Sequence, residues 1–283
     1  MIDIDEKLIK SIFPRRLQDS NKGLYGKVLN ITGSRNYPGA GVLSALSALK
    51  VGAGYSILCT DKAVIDSCKC MSCDLIYKSH ENFNIDIVKD LIESQKVSSI
   101  VYGCGIDVTN ETVNFTEGLI SYLKNTNIPA IIDADGLNCL AMHQTELNEN
   151  FILTPHPKEL SRLLQASCND IQNEREKFLK AAYEKYRCVV LLKGFNTLIT
   201  DGNNIYKNKT GSSALSKAGT GDVLAGMVGG FLAQRTTSIN AAILSANIHG
   251  IAAEIYTRDY SEYSMLASDL FNYVPKAIKL VLN

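Results

Sequence analysis

The sequence predicts an α/β fold, a three-layer α/β/α sandwich with a mostly parallel central sheet. Two observations predict it. Short β-branched runs alternate along the chain with longer runs of helical spacing, the pattern of strands joined by crossover helices. Glycine-rich and polar clusters also fall directly after those strand candidates, where open α/β sheets place their ligands. Neither an internal repeat nor a Pro/Ser linker divides the chain, so its 283 residues read as one domain, residues 1–283, with a short N-terminal extension over 1–25.

The elements follow in order. Residues 28–32 form the first strand, and residues 42–51 a helix with apolar Val42, Leu43, Leu46 and Leu49 at helical spacing. Strands follow at 55–59, 99–102, 130–133, 151–154 and 189–193, with helices at 85–94 and 173–186 among the segments between them. Residues 197–200 and 204–206 flank Asp201-Gly202, a pair that favours a tight hairpin turn. The last third is helical, over 222–234, 239–256 and 268–282.

Bulk composition excludes some classes of function. Lys+Arg and Asp+Glu both number 29, so the basic excess of a general nucleic-acid binder is missing. No apolar run approaches the ~20 residues that cross a bilayer, and the first ten residues lack the apolar core of a signal peptide. A cytoplasmic location is expected. Of the eight cysteines, Cys59, Cys104, Cys139 and Cys188 lie in or beside apolar segments and read as small core residues. Cys68, Cys70 and Cys73 form a C-x-C-x-x-C cluster. It reads either as a metal site short of a nearby fourth ligand or as three thiols of a reduced protein.

The segment richest in chemistry is Gly219-Thr220-Gly221-Asp222, at the head of a helix striped by Val223, Leu224, Met227, Val228, Phe231 and Leu232. Bare N–H groups and the positive end of the helix dipole make such a turn an anion cradle. Asp222 is either a helix cap or a base beside the bound anion. Gly33-Ser34, Gly103-Cys104-Gly105, Asp133-Ala134-Asp135, Pro155-His156-Pro157 and Gly194 each close a strand and converge on the same end of the sheet.

These residues carry a family resemblance. Gly219-Thr220-Gly221-Asp222 resembles the anion-hole motif of the ribokinase-like superfamily. Gly33 through Gly41, Asp133-Ala134-Asp135-Gly136-Leu137-Asn138, the T-P-H-P-x-E segment from Thr154 to Glu159 and the L-K-G-x-x-T segment from Leu192 to Thr197 resemble, in this order, the ADP/ATP-dependent NAD(P)H-hydrate dehydratases. The resemblance runs from about residue 26 to the C-terminal helix.

It implies a ribokinase-like fold and nucleotide-dependent dehydration of (6S)-NADHX or (6S)-NADPHX, with ADP favoured over ATP, Mg²⁺ on the phosphates, and AMP and phosphate as products. Gly219, Thr220 and Gly221 would hold the transferring phosphoryl group, and Asp222 would act as catalytic base on the substrate. Ala40, Gly105 and His156 would contact the hydrated dinucleotide. Lys193, Gly194, Phe195, Asn196, Thr197 and Gly221 would line the nucleotide. Glu159 would orient Mg²⁺ through water, or cap the helix that follows it. Asp133 and Asp135 follow a strand whose side chains alternate between faces, and only one of them would face the ligand. The resemblance further implies a homotetramer and, with no epimerase domain expected in this chain, a separate epimerase as metabolic partner.

One run departs from the family. Where relatives carry a Gly-Pro-Gly-Leu-Gly type run, this chain has Gly103-Cys104-Gly105-Ile106-Asp107, and an inward-pointing Asp107 would repel the dinucleotide phosphates. Three other readings stay open. A small-molecule kinase of the same superfamily, acting on a vitamin precursor, would share Gly219 through Asp222 but has less reason to carry His156. A silent dinucleotide sensor would not need Asp222. A hydride-transfer dehydrogenase would carry G-x-G-x-x-G after the first strand, which is not what residues 33–41 spell.

Overall fold

The computed structural model describes residues 1–143 and 145–283. Ten strands form one sheet: β1 (Ile2–Asp3), β2 (Lys27–Ile31), β3 (Tyr55–Thr60), β4 (Ile76–Ser79), β5 (Ser99–Tyr102), β6 (Ala130–Ile132), β7 (Phe151–Leu153), β8 (Val189–Leu192), β9 (Leu198–Thr200) and β10 (Ile205–Lys207). Their order across the sheet is β1-β10-β9-β8-β7-β6-β5-β2-β3-β4. β9 runs antiparallel to both its neighbours, and every other pairing is parallel.

Alternation along each strand splits the core into two layers. Val28, Val101, Ile131, Ile152 and Leu191 face helices Thr220–Ala233, Ser238–Asp259 and Leu270–Leu282. Their neighbours Leu29, Ile100, Ile132, Leu153 and Val190 face helices Ile85–Gln95, Asn110–Leu123, Asp135–Met142, Pro157–Leu164 and Arg175–Tyr186. Period-two strands covered on both sides leave no polar face, so both sets are fully buried. The expected three-layer α/β/α sandwich is therefore present.

Several details differ from the sequence expectation. The hairpin turn spans four residues, with Thr200 paired to Ile205. Asp201 does not enter a left-handed conformation with Gly202. Its carboxylate instead accepts hydrogen bonds from the backbone of Asn203 and Asn204, an Asx turn. Two further strands, β1 and β4, have no counterpart in the sequence pattern. β1 is a two-residue edge strand held by parallel pairing to β10, and β4 carries mostly polar or exposed residues at the other edge, so neither shows strand periodicity. The Cys68, Cys70 and Cys73 cluster occupies helix Ile65–Met71 and the turn after it. Cys68 is buried, whereas Cys70 and Cys73 are exposed. Among the described residues no three His, Cys, Asp or Glu side chains converge to hold a metal ion.

Two features of the fold position the site. The chain leaves β2 toward β3 and β4, then returns to β5 and runs the other way through β6, β7 and β8. The sheet therefore has its switch point between β2 and β5, where a crevice opens beyond the carboxyl ends. Helix Thr220–Ala233 also packs unusually close to helix Pro38–Lys50. A methyl group on Gly226 would lie 1.9 Å from the Ser44 carbonyl oxygen, and one on Gly230 would lie 2.6 Å from that of Ala48. Only glycine permits this approach, which brings the head of the second helix to the crevice.

Candidate active site

The head of helix Thr220–Ala233 is built to receive an anion. Gly219 takes a left-handed conformation, φ 93°, as the residue before the helix, and no side chain caps it. The N–H groups of Gly221 and Asp222 find no acceptor among the described residues. Asp222 is therefore not the cap that sequence reasoning allowed. It stands in the first turn, partly buried beside Cys104, Asp133 and Lys193. Burial raises its carboxyl to about 7, Asp133 adds to the rise, and the Cys104 thiol and Lys193 oppose it. A carboxylate in that range is matched to proton transfer near neutrality.

Beneath the cradle lies a buried ion cluster. The Lys193 ammonium, at the end of β8, donates 2.7 Å to Asp133 Oδ1 and lies 3.7 Å from Glu159 Oε2. Their side chains are 19%, 2% and 7% exposed, respectively, so the charges have little water. Burial alone would lower the lysine's pKa, but Asp133 and Glu159 outweigh it and hold the ammonium above its ordinary range. Burial also pushes Glu159 upward, against the pull of Lys193. At Gly221 an added methyl would sit 3.6 Å from Lys193 Nζ and 3.8 Å from Asp133 Oδ2, both ordinary contacts. The protein thus has room for a side chain here, in a space that opens onto a cation and two unpaired N–H groups.

His156 and Glu159 form a reciprocal cap on helix Pro157–Leu164. The Glu159 N–H donates 3.1 Å to His156 Nδ1, and the His156 N–H donates 2.8 Å to Glu159 Oε2. Glu159 therefore serves as a cap, one of the two roles open to it. Accepting at Nδ1 fixes the His156 tautomer with its proton on Nε2, and burial lowers its pKa, with Lys193 adding to the fall. His156 is thus neutral, with its Nε2 at the rim and 3.3 Å from Glu159 Oε1.

Ala40 and Gly105 face each other across the switch point. A methyl on Gly105 would fall 2.8 Å from Ala40 Cβ and 2.7 Å from Tyr37 Cβ, and Gly105 has φ +63°. On the other flank, Gly194, φ +136°, lies over the Arg175 guanidinium, which donates to the carbonyls of Leu192 and Lys193 at 3.0 and 3.3 Å. Phe195 is 90% exposed. With Asn196 and Arg175 it lines a cavity of about 530 Å³. Thr197 Oγ1 closes the loop by donating 2.9 Å to the Gly194 carbonyl.

Of the two aspartates after β6, Asp133 turns to Lys193, whereas Asp135 turns away to accept from the Asp107 N–H at 3.0 Å. Asp107 does not point at the cradle. Its carboxylate accepts from Ser34 and Asn36. Sequence reasoning missed Arg175 and the contact of Cys104 with Asp222. Cys104 was legible as buried, but nothing in the sequence set it beneath a residue 118 positions on (222 − 104). Arg175 looked like any first-turn helical cation.

The chain is similar to several known proteins. The family model described as NAD(P)H-hydrate dehydratase matches residues 28–276. The bifunctional NAD(P)H-hydrate repair enzyme of Coxiella burnetii is 34% identical over 272 residues, covering 96% of this chain and 54% of that protein. The ADP-dependent (S)-NAD(P)H-hydrate dehydratase of Bacillus subtilis is 30% identical over 276 residues, covering 97% and 96%. The crystal structure of the ADP/ATP-dependent NAD(P)H-hydrate dehydratase from Bacillus subtilis, co-crystallized with ATP/Mg²⁺, superposes with a TM-score of 0.87 at 28% identity, covering 98% and 97%. The chain spans about half the length of the bifunctional relatives it matches. Matched by that family model over most of its length and by a relative 30% identical across nearly the whole of both proteins, the chain belongs to the NAD(P)H-hydrate dehydratase family.

Proposed function

We propose that this chain dehydrates (6S)-NADHX and (6S)-NADPHX to NADH and NADPH, with ADP as phosphoryl donor and AMP and phosphate as the other products. The observation that carries the reading is Asp222, a recessed carboxylate raised to about 7 in the first turn of an uncapped, glycine-headed helix. The pair supplies a base and an anion cradle at one point, as phosphoryl transfer to a hydroxyl requires.

In this reading the hydrated ring rests against the wall formed by Ala40 and Gly105, with His156 donating from Nε2. The nucleotide lies along Lys193, Gly194, Phe195, Asn196 and Thr197, its terminal phosphate over Gly219, Thr220 and Gly221. Asp222 takes the proton from the C6 hydroxyl as that oxygen attacks the terminal phosphorus and the bond to the leaving AMP breaks. The ring nitrogen's lone pair then expels phosphate from C6, and a proton leaves C5, restoring the double bond. Phosphate leaves far more readily than hydroxide, so a kinase-like scaffold serves an elimination.

The residues present fit Mg²⁺ as an ion carried in by the nucleotide. The nearby hard oxygen donors, Asp133 and Glu159, are already engaged by Lys193 and His156, and the described residues form no protein cage. When bound, Mg²⁺ would neutralise charge on the phosphates, with Glu159 reaching it through water. A separate epimerase would feed the reaction by converting the unreactive hydrate epimer, the second activity we read into the bifunctional relatives.

The test is direct. Purified protein is mixed with acid-hydrated NADH, Mg²⁺ and either ADP or ATP, and the return of dihydronicotinamide absorbance is followed. Recovery is expected only with a nucleotide, and faster with ADP. A stable phosphorylated hydrate, or no recovery from folded protein, would remove the reading in favour of a small-molecule kinase.

Gly221→Ala separates function from fold. The added methyl meets only ordinary contacts, and alanine suits a helical first turn better than glycine. The Tm is therefore expected to hold or rise. The nucleotide-dependent rate is expected to fall about a hundredfold, because the methyl occupies the phosphoryl position. Thermal melts and steady-state rates on the same sample check both halves.

The pH dependence has a defined sign. Asp222 must be ionised to accept a proton, so kcat/KM is expected to rise with pH and level off above about 7. A profile that is flat from pH 5.5 to pH 8 would assign the base elsewhere.

A further inference from the structure

At the switch point between β2 and β5, the side chain of Asp107 bridges the two loops. Its backbone is left-handed, φ +62°, a region that disfavours residues with a Cβ although aspartate tolerates it better than most. Such backbone persists where surrounding contacts over-determine it, and those contacts come from three directions. The carboxylate accepts 2.7 Å from Ser34 Oγ, and 3.2 and 3.3 Å from Asn36 Nδ2. Its N–H donates 3.0 Å to Asp135 Oδ2. The Asp107 carbonyl accepts 3.0 Å from Thr112 Oγ1. One residue thus ties the loop after β2 to the loop after β5 and to the helix that follows β6.

The same junction carries the two small residues of the crevice. Gly105 stands two residues before Asp107, with no room for a methyl against Tyr37 and Ala40. The Gly33 N–H donates 2.8 Å to the Cys104 carbonyl, so the loops are joined on their inner side by backbone and on their outer side by Asp107. Ser34 is 8% exposed, which shields its bond to the carboxylate from water.

We propose that Asp107 is a positioning residue. It holds the 33–37 loop against the 103–107 loop and so fixes the wall, made by Ala40 packed on Gly105, against which the hydrated ring is seated. The role rests on the proposed hydrate substrate. Asp107 touches no reacting atom and acts through the loop.

Asp107→Gly tests this, because glycine removes the carboxylate while accepting the left-handed backbone without strain. The KM for hydrated NADH is expected to rise about tenfold, since small misplacements of a seating wall are costly. The KM for ADP and kcat should stay within about twofold, and the Tm within about 2 °C. Asp107→Asn keeps an acceptor oxygen and should recover most of the affinity. Ser34→Ala with Asn36→Ala should raise the same KM, and adding Asp107→Gly should raise it little further, the non-additivity of one shared contact set.

Hydrogen exchange at the Tyr37 amide, which donates 3.2 Å to the Ser34 carbonyl, reads the clamp without turnover and should quicken in Asp107→Gly. An unchanged hydrate KM with unchanged exchange would overturn the proposal. So would a loss of Tm in which kcat and both KM values move together, the mark of a merely structural residue. A parent protein that never consumes hydrate would remove the substrate reading, while the exchange result would still decide whether the clamp exists.

Discussion

Asp222→Asn is expected to lower nucleotide-dependent dehydration about a thousandfold, the scale on which a positioned base acts. It should leave nucleotide affinity nearly unchanged, because the cradle is made of backbone. It should also stabilise the protein. The folded-state pKa of Asp222 is raised from 3.8 to about 7, so the group favours folding fully below its unfolded pKa, and that contribution is lost as pH rises through about 7. Above this range the native state holds a poorly solvated carboxylate that asparagine would not carry. The Tm difference between variant and parent should therefore be larger at pH 8 than at pH 4.5. An aspartate with a purely structural role would show the opposite, its loss lowering Tm and rate together.

Lys193→Met should have the largest effect on stability. It removes the cation between Asp133 and Glu159, whose side chains are 2% and 7% exposed. Stripping one partner from a buried ion pair leaves an uncompensated charge and costs about 3 kcal/mol or more. Urea denaturation at neutral pH should show that loss, and Lys193→Met with Asp133→Asn should recover part of it, since the double variant buries one charge fewer. Recovery of stability should not bring back activity, because Lys193 also faces the nucleotide phosphates. If the single variant were as stable as the parent, the cluster would be better hydrated than its burial indicates, and its electrostatic role in the site would fall with it.

The difference between these two residues shows what the sequence made legible. Asp222 was readable locally, because a glycine turn, a helix stripe and a carboxylate follow one another within a few positions. The fold class was readable for a similar reason, since crossover helices and buried strands each impose their own period. The partner of Lys193 was not readable. Asp133 lies 60 residues away and meets it only because β6, β7 and β8 lie side by side in the sheet, with both side chains at carboxyl ends. Cys104 beneath Asp222, Arg175 beneath Gly194 and Asp107 against Ser34 belong to the same class. Each is a contact fixed by strand order and helix packing, and strand order has no signature in local periodicity. The edge strands β1 and β4 escaped for the converse reason, being too short or too polar to show a period at all.

The most direct test of phosphorylation at C6 follows the oxygen. NADH hydrated in oxygen-18 water carries the label on its C6 hydroxyl, and the products formed with ADP can be separated and weighed by mass spectrometry. If Asp222 directs that hydroxyl onto the terminal phosphorus, the label must appear in inorganic phosphate, one labelled oxygen for each NADH formed. Label released into water instead would mean that the hydroxyl leaves without ever being phosphorylated, and Asp222 with its glycine cradle would not be a phosphoryl-transfer centre.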